Sequence, residues 1–187
     1  MNTTTLILIC VLIGIAILGI AAFFFLRKRR TEGLRTQFGP EYDRALQESG
    51  DRRHAEASLK ERKERVEHFK IQPLTPGDSA RFTESWRRIQ ARFVDDPNGA
   101  VTEADQLLGD VMSTRGYPVS DFEQRTADIS VDHPRVVENY RAAHEIALRH
   151  AQGKASTEDL RQAMIHYRTL FVDLVSEPEI VSEKAAS

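Results

Sequence analysis

Residues Leu6 to Leu26 form an apolar run with no charge and no proline, closed by Arg27-Lys28-Arg29-Arg30. As a helix, at about 1.5 Å per residue, the run covers about 32 Å, enough to cross a hydrocarbon core of about 30 Å. Its many isoleucines do not argue for a strand, because in lipid only a helix satisfies its own backbone groups. A cleaved leader would carry a basic start and a small-residue cleavage site. Met1-Asn-Thr-Thr-Thr5 has no cation, and the run ends in Phe23-Phe24-Phe25-Leu26. The expectation is one retained transmembrane helix over 6–26, after a short extracytoplasmic N-terminus at 1–5. Arg27, Lys28, Arg29 and Arg30 lie on one flank only. They place the remaining chain on the cytoplasmic face of the membrane, chiefly by stopping transfer and fixing topology, with anionic headgroups within their reach.

Every charged side chain follows Leu26. With the four cations at 27–30 set aside, 22 basic residues face 28 acidic ones, so residues 31–187 carry about −6. An acidic domain without a basic stripe excludes nucleic acid as the expected partner. The single cysteine, Cys10, lies inside the apolar run, so no intrachain disulfide is possible.

No window after the run alternates with period two, and the chain reads as all-α. Residues 27–72 read as a basic juxtamembrane cluster followed by a charged helical stalk. Within it, Ala55, Leu59, Arg62, Val66 and Phe69 recur at spacings of four and three. This is the seam of a helix lying on another helix, or of a short coiled coil that would pair two copies of the chain. Pro73 and Pro76 mark the boundary. Beyond it, residues 75–175 predict a helical bundle. Thr75 with Asp78 opens a helix to about Val94, with Phe82, Trp86, Ile89 and Phe93 on one face. Asp96-Pro97 opens a second, with Val101, Ala104, Leu107, Leu108, Val111 and Met112 inward, and Gly116 and Pro118 stop it. Ser120 with Glu123 predicts a short helix that buries Phe122. The helix after Asp132-His133-Pro134 places Val137, Tyr140, His144, Ala147 and Leu148 in one stripe. Ser156 and Asp159 cap the last helix, with Leu160, Met164, Tyr167, Leu170, Phe171 and Leu174 facing the core. The tail, 176–187, is polar and small and is expected to be disordered.

No phosphate-binding, dinucleotide, HExxH, CxxC or GxSxG signature occurs, and no Glu-x-x-His pair suggests a di-iron bundle. No catalytic residue, cofactor or metal is expected. The alternative from another class is a metal- or ligand-binding helical domain, or an enzyme, using His144, His166 and nearby carboxylates. The irregular segments 117–122 and 129–135 are where a rigid scaffold would carry binding, and Tyr117, Phe122, His133 and Arg135 are the residues expected to meet a protein partner.

Four blocks carry a resemblance: Phe38-Gly-Pro-Glu-Tyr-Asp43, Ala91-Arg-Phe-Val-Asp-Asp-Pro97, Arg115-Gly-Tyr-Pro-Val119 with Asp121-Phe122-Glu123, and Asp128-Ile-Ser-Val-Asp-His-Pro134. In these the chain resembles a group of uncharacterised bacterial single-pass membrane proteins. The resemblance implies a bacterial membrane setting and no activity. Together these features lead to the expectation of a membrane-anchored helical interaction or scaffold protein that recruits or senses a protein partner.

Overall fold

The computed structural model describes residues 3–118 and 120–176, without side-chain detail at 3–14, 16, 17, 23, 24, 27 and 30. Eight helices account for the described fold, and no strand occurs among the described residues: α1 (Thr3–Phe38), α2 (Pro40–Ser49), α3 (Arg52–Glu67), α4 (Pro76–Arg92), α5 (Pro97–Arg115), α6 (Phe122–Asp132), α7 (Val137–Ala151) and α8 (Thr157–Ser176). Among the described residues no helix is long and apolar enough to cross a membrane. Most side chains of the 6–26 run lie outside that description, as does the expected tail from residue 177 onward.

Local chemistry sets most boundaries. Thr75 Oγ1 accepts from Asp78 N and donates to the Asp78 carboxylate at 2.6 Å, with Pro76 at the first helical position. Asp96 accepts from Gly99 N ahead of Pro97, and Ser156 and Asp159 cap each other reciprocally. Thr75→Ala therefore lowers stability by about 1 kcal/mol, measured by urea unfolding. An unchanged midpoint would show that the cap contributes nothing. The α6 cap sits one residue later than the Ser120 pattern suggests: Asp121 accepts from Gln124 N. The α7 stripe is also rotated from expectation. Ile146 is buried and Leu148 is 52% exposed, because α7 packs on α8 and α5 along Val137, Tyr140, Ala143 and Ile146.

The packing forms two layers. In the first, α4, α5, α7 and α8 enclose one apolar core, with α8 against the other three and Ile129 of α6 joining it. Trp86 stacks on Phe171 at 4.8 Å between ring centres. The second layer is the end of α1 with α2 and α3. These helices bury Phe38, Tyr42, Ala45, Ala55, Leu59 and Val66 against Val131 of α6.

This second layer is where the structure departs from a solvated stalk. The chain turns back at Gly39, whose φ of 49° permits the reversal, and again at Gly50. The seam Ala55-Leu59-Val66 is then covered within one chain, which leaves it no free face for a coiled coil between copies. Phe69 and Ile71 pack on both cores and join the layers.

Candidate functional site

Where the layers meet at the far end of α1, they leave a cleft of about 840 Å3. One wall is the α1–α2 junction, with Thr36, Gln37, Gly39 and Pro40. A second comes from the end of α3 and the segment after it, with Lys63, Val66, Glu67, Phe69 and Ile71. The third is the α6–α7 connection, Val131 to Arg135, backed by Arg115 and Asp173.

Each wall has a physical reason to stand where it does. Residues 69–72 run across the end of α5, where Gln72 N donates to Arg115 O at 2.8 Å. Gly116 makes that crossing possible. It caps α5 with φ of 101°, and a Cβ built there would lie 2.3 Å from Lys70 O. Tyr117 turns its hydroxyl to Asp132 at 2.7 Å and is itself buried.

His133 ties the third wall to α8. It is 4% exposed, and its Nδ1 meets Asp173 Oδ2 at 2.5 Å. A carboxylate only accepts and a guanidinium only donates. The imidazole therefore donates from Nδ1 to Asp173 and turns the Nε2 lone pair toward Arg115 Nη1, 3.5 Å away. Arg115, also buried, donates to Leu174 O at 3.0 Å, a cation placed at the carbonyl end of α8 where the helix dipole favours it.

Two buried carboxylates lock the layers together. Glu41 of α2 is 1% exposed and accepts from Arg62 of α3 at 2.8 Å and from Arg141 of α7 at 2.6 and 2.8 Å. Arg62, the charged residue interrupting the α3 seam, is explained by this pairing. Asp128 of α6 meets Arg65 of α3 and Gln124. Burial raises its carboxyl above the usual range despite both partners. A third carboxylate, Glu56, fixes α1. It accepts from Thr31 at 2.8 Å, Tyr42 at 3.0 Å and Arg52 at 2.9 Å. Burial opposes its charge, but these hydrogen bonds prevail and hold it below the ordinary carboxylate value.

The expected surface residues separate. Arg135 is exposed at the cleft. Tyr117 and His133 belong to the same end of the fold and both are buried, with His133 in the cleft wall. Phe122 lies apart from the cleft and stacks on His144, ring centres 3.5 Å apart. His166 instead pairs with Asn139 at 2.8 Å, so the two histidines have separate surroundings. No metal-competent group of three or more His, Cys, Asp or Glu side chains occurs among the described residues. In the basic cluster, Lys28 pairs with Glu32 and Arg29 covers the Phe25 ring; the side chains of Arg27 and Arg30 lie outside the described residues.

Lys63 and Ile71 were not singled out from sequence, and Phe69 only as the last residue of the α3 seam. Lys63 looks like any surface cation, and the only signal for Ile71 is its place as an apolar residue just ahead of Pro73.

His144 carries a pH consequence. Burial lowers its pKa below the ordinary 6.5, with Asp105 and Glu123 opposing the shift and Arg125 adding to it. The fold thus prefers the neutral ring: stability is full above 6.5 and declines as pH falls through that value. His144→Gln should flatten this acid-side loss in melting temperature; an identical pH profile for both proteins would contradict it.

The chain matches no protein-family model, no curated protein and no solved structure.

Proposed function

We propose that this is a single-pass membrane protein that holds an acidic helical fold at the inner face of a bacterial membrane and recruits a protein partner through the cleft. The observation that carries this reading is the continuity of α1. One 36-residue helix contains the apolar run and then, without a break, contributes Thr31, Leu34 and Phe38 to the second layer and Thr36 and Gln37 to the cleft. A membrane helix that is also a wall of the fold orients what it carries, whereas a flexible linker would only tether it. From Leu26 to Phe38 the helix advances about 18 Å, which stands the cleft clear of the bilayer surface and open to the cytoplasm. Arg27 to Arg30 then lie at the headgroups, where each cation near anionic lipid adds about 1 kcal/mol.

The test is membrane extraction with alkaline carbonate, joined to a C-terminal phosphatase fusion that is active only outside the inner membrane. The expected result is a carbonate-resistant protein with an inactive fusion. Release by carbonate would remove the anchor, and an active fusion would reverse the topology.

A further inference from the structure

We propose that the turn between α2 and α3, residues 49–54, is a second membrane contact: it rests among the lipid headgroups beside α1 and presents Arg52 and Arg53 to the phosphates of anionic lipid. This rests on the anchor reading and adds to it a surface of the fold that meets the bilayer.

The register of three helices places the turn. Helix α2 runs back along α1, since Arg35 pairs with Asp43 at 3.2 Å and lies over the Tyr42 ring. Helix α3 then runs forward beside α1. Thr31 donates to Glu56, 25 residues later in sequence, and farther along Thr36 and Gln37 border the same cleft as Lys63. Two helices with the same rise keep that offset, so Arg52, Arg53 and His54 stand level with Arg27, Lys28 and Arg29. That level is about 2–5 Å beyond Leu26 along the helix axis. The headgroup layer extends about 5–7 Å outside the hydrocarbon core. A span over 6–26 therefore carries the turn into that layer.

The chemistry of the turn fits that place. Residues 47–54 are all exposed, and none carries an apolar side chain. Asp51 folds its carboxylate back onto the start of α3, accepting from His54 N at 3.2 Å and meeting His54 Nδ1 at 3.0 Å. Arg52 pairs with Glu56 at 2.9 Å, whereas the Arg53 side chain makes no ion pair or hydrogen bond among the described residues. The charge of the whole membrane-proximal end decides the lipid. Over the parts of the three helices nearest the bilayer, residues 27–34 and 44–59, seven Lys and Arg stand against four Asp and Glu. The balance is +3 on a chain whose total is −2, so the rest carries −5. An anionic leaflet attracts this end and repels the remainder, which favours the orientation that the register already sets. A soluble polyanion would meet the same cations, but the anchor holds lipid phosphates beside the turn at an effective concentration far above that of a soluble partner.

The experiment uses the full chain in nanodiscs, with Cys10→Ser removing the single native cysteine. One new cysteine, Ser49→Cys or Glu67→Cys, carries the fluorophore NBD, and the discs contain lipid spin-labelled at the headgroup as quencher. Both positions are exposed, and by the register they stand about 20 Å apart along α1. In discs of phosphatidylglycerol and phosphatidylcholine, quenching at position 49 should be at least about threefold that at position 67. Arg53→Glu should lower the quenching at 49 by about half in those discs and leave it unchanged in phosphatidylcholine alone. Arg53→Lys should keep the wild-type value in both. The Arg53 side chain supports no contact within the fold, so its loss does not act through misfolding, and an unchanged signal at 67 checks this. Equal quenching at 49 and 67 overturns the proposal. So does quenching at 49 that Arg53→Glu leaves unmoved in the anionic discs. The two readings fail in different ways. A chain that does not stay with the discs removes the anchor and this contact together, whereas a disc-held chain with equal quenching at both positions removes this contact alone.

Discussion

Glu41→Ala lowers the stability of the fold by about 3 kcal/mol, and by about 10 °C in melting temperature for a chain of this size. The side chain removed is 1% exposed, and it leaves Arg62 and Arg141 facing each other across the α2–α3–α7 junction with no carboxylate between them. Removing one member of a buried ion pair costs about 3–5 kcal/mol, mostly from the desolvated charge left behind. The lower end applies here because the two arginine side chains keep 19% and 15% of their exposure and recover some hydration. The effect is a matter of pairing, not of charge as such. Replacing Glu41, Arg62 and Arg141 together by apolar residues of similar size should bring the loss close to zero. Circular-dichroism melts of the single and triple variants check both halves; a single-variant loss under about 1 kcal/mol would show that the layers are held by their apolar contacts alone.

Gly116→Ala costs about as much for a different reason. The left-handed conformation at φ 101° charges any other residue about 1–2 kcal/mol. The new Cβ also meets Lys70 O at 2.3 Å, a backbone atom that cannot rotate away. The 70–72 segment must then lift from α5, breaking the Gln72–Arg115 hydrogen bond and moving Ile71 out of both cores. The expected total is about 3 kcal/mol, with the cleft disturbed as well. Gly153→Ala is the internal control. Its φ is 69°, but nothing lies within 4 Å of the added carbon, so it bears only the backbone term of about 1 kcal/mol. Urea unfolding of the two variants separates clash from conformation; equal losses would mean that the Lys70 contact carries no weight.

What could be read from sequence divides by the range of the interaction that decides it. The boundaries at Thr75, Asp96, Gly116 and Ser156 depend on atoms three or four residues apart, and the residue types alone indicate them. The inward faces of α5 and α8 were equally legible, since one face meets one core. The face of α7 was not: Ile146 is inside and Leu148 outside because α7 is covered by α8, α6 and α5, neighbours whose placement its own periodicity does not contain. The stretch from Thr31 to Phe69 is polar enough to read as a solvated stalk. Its partners are Glu41 and Arg141, 100 residues apart, and Arg65 and Asp128, 63 apart. The one local clue was Arg62, a cation in an apolar seam, which made sense only with a carboxylate supplied from elsewhere in the fold. The cleft has the same character. Arg135 was visible as a loop cation, but the His133–Asp173 contact that sets its loop spans 40 residues. Lys63 gains its place only when α3 folds back on α6.

The most direct test of a membrane-held adaptor is site-specific photo-crosslinking in native membranes, with a photoreactive residue in place of Arg135 or of Val94. Both positions are exposed, but only the first borders the cleft. Irradiation should give a discrete protein adduct in the membrane fraction from position 135 and none from position 94. The same adducts from both positions, or none from position 135, would contradict the cleft as the recruiting surface.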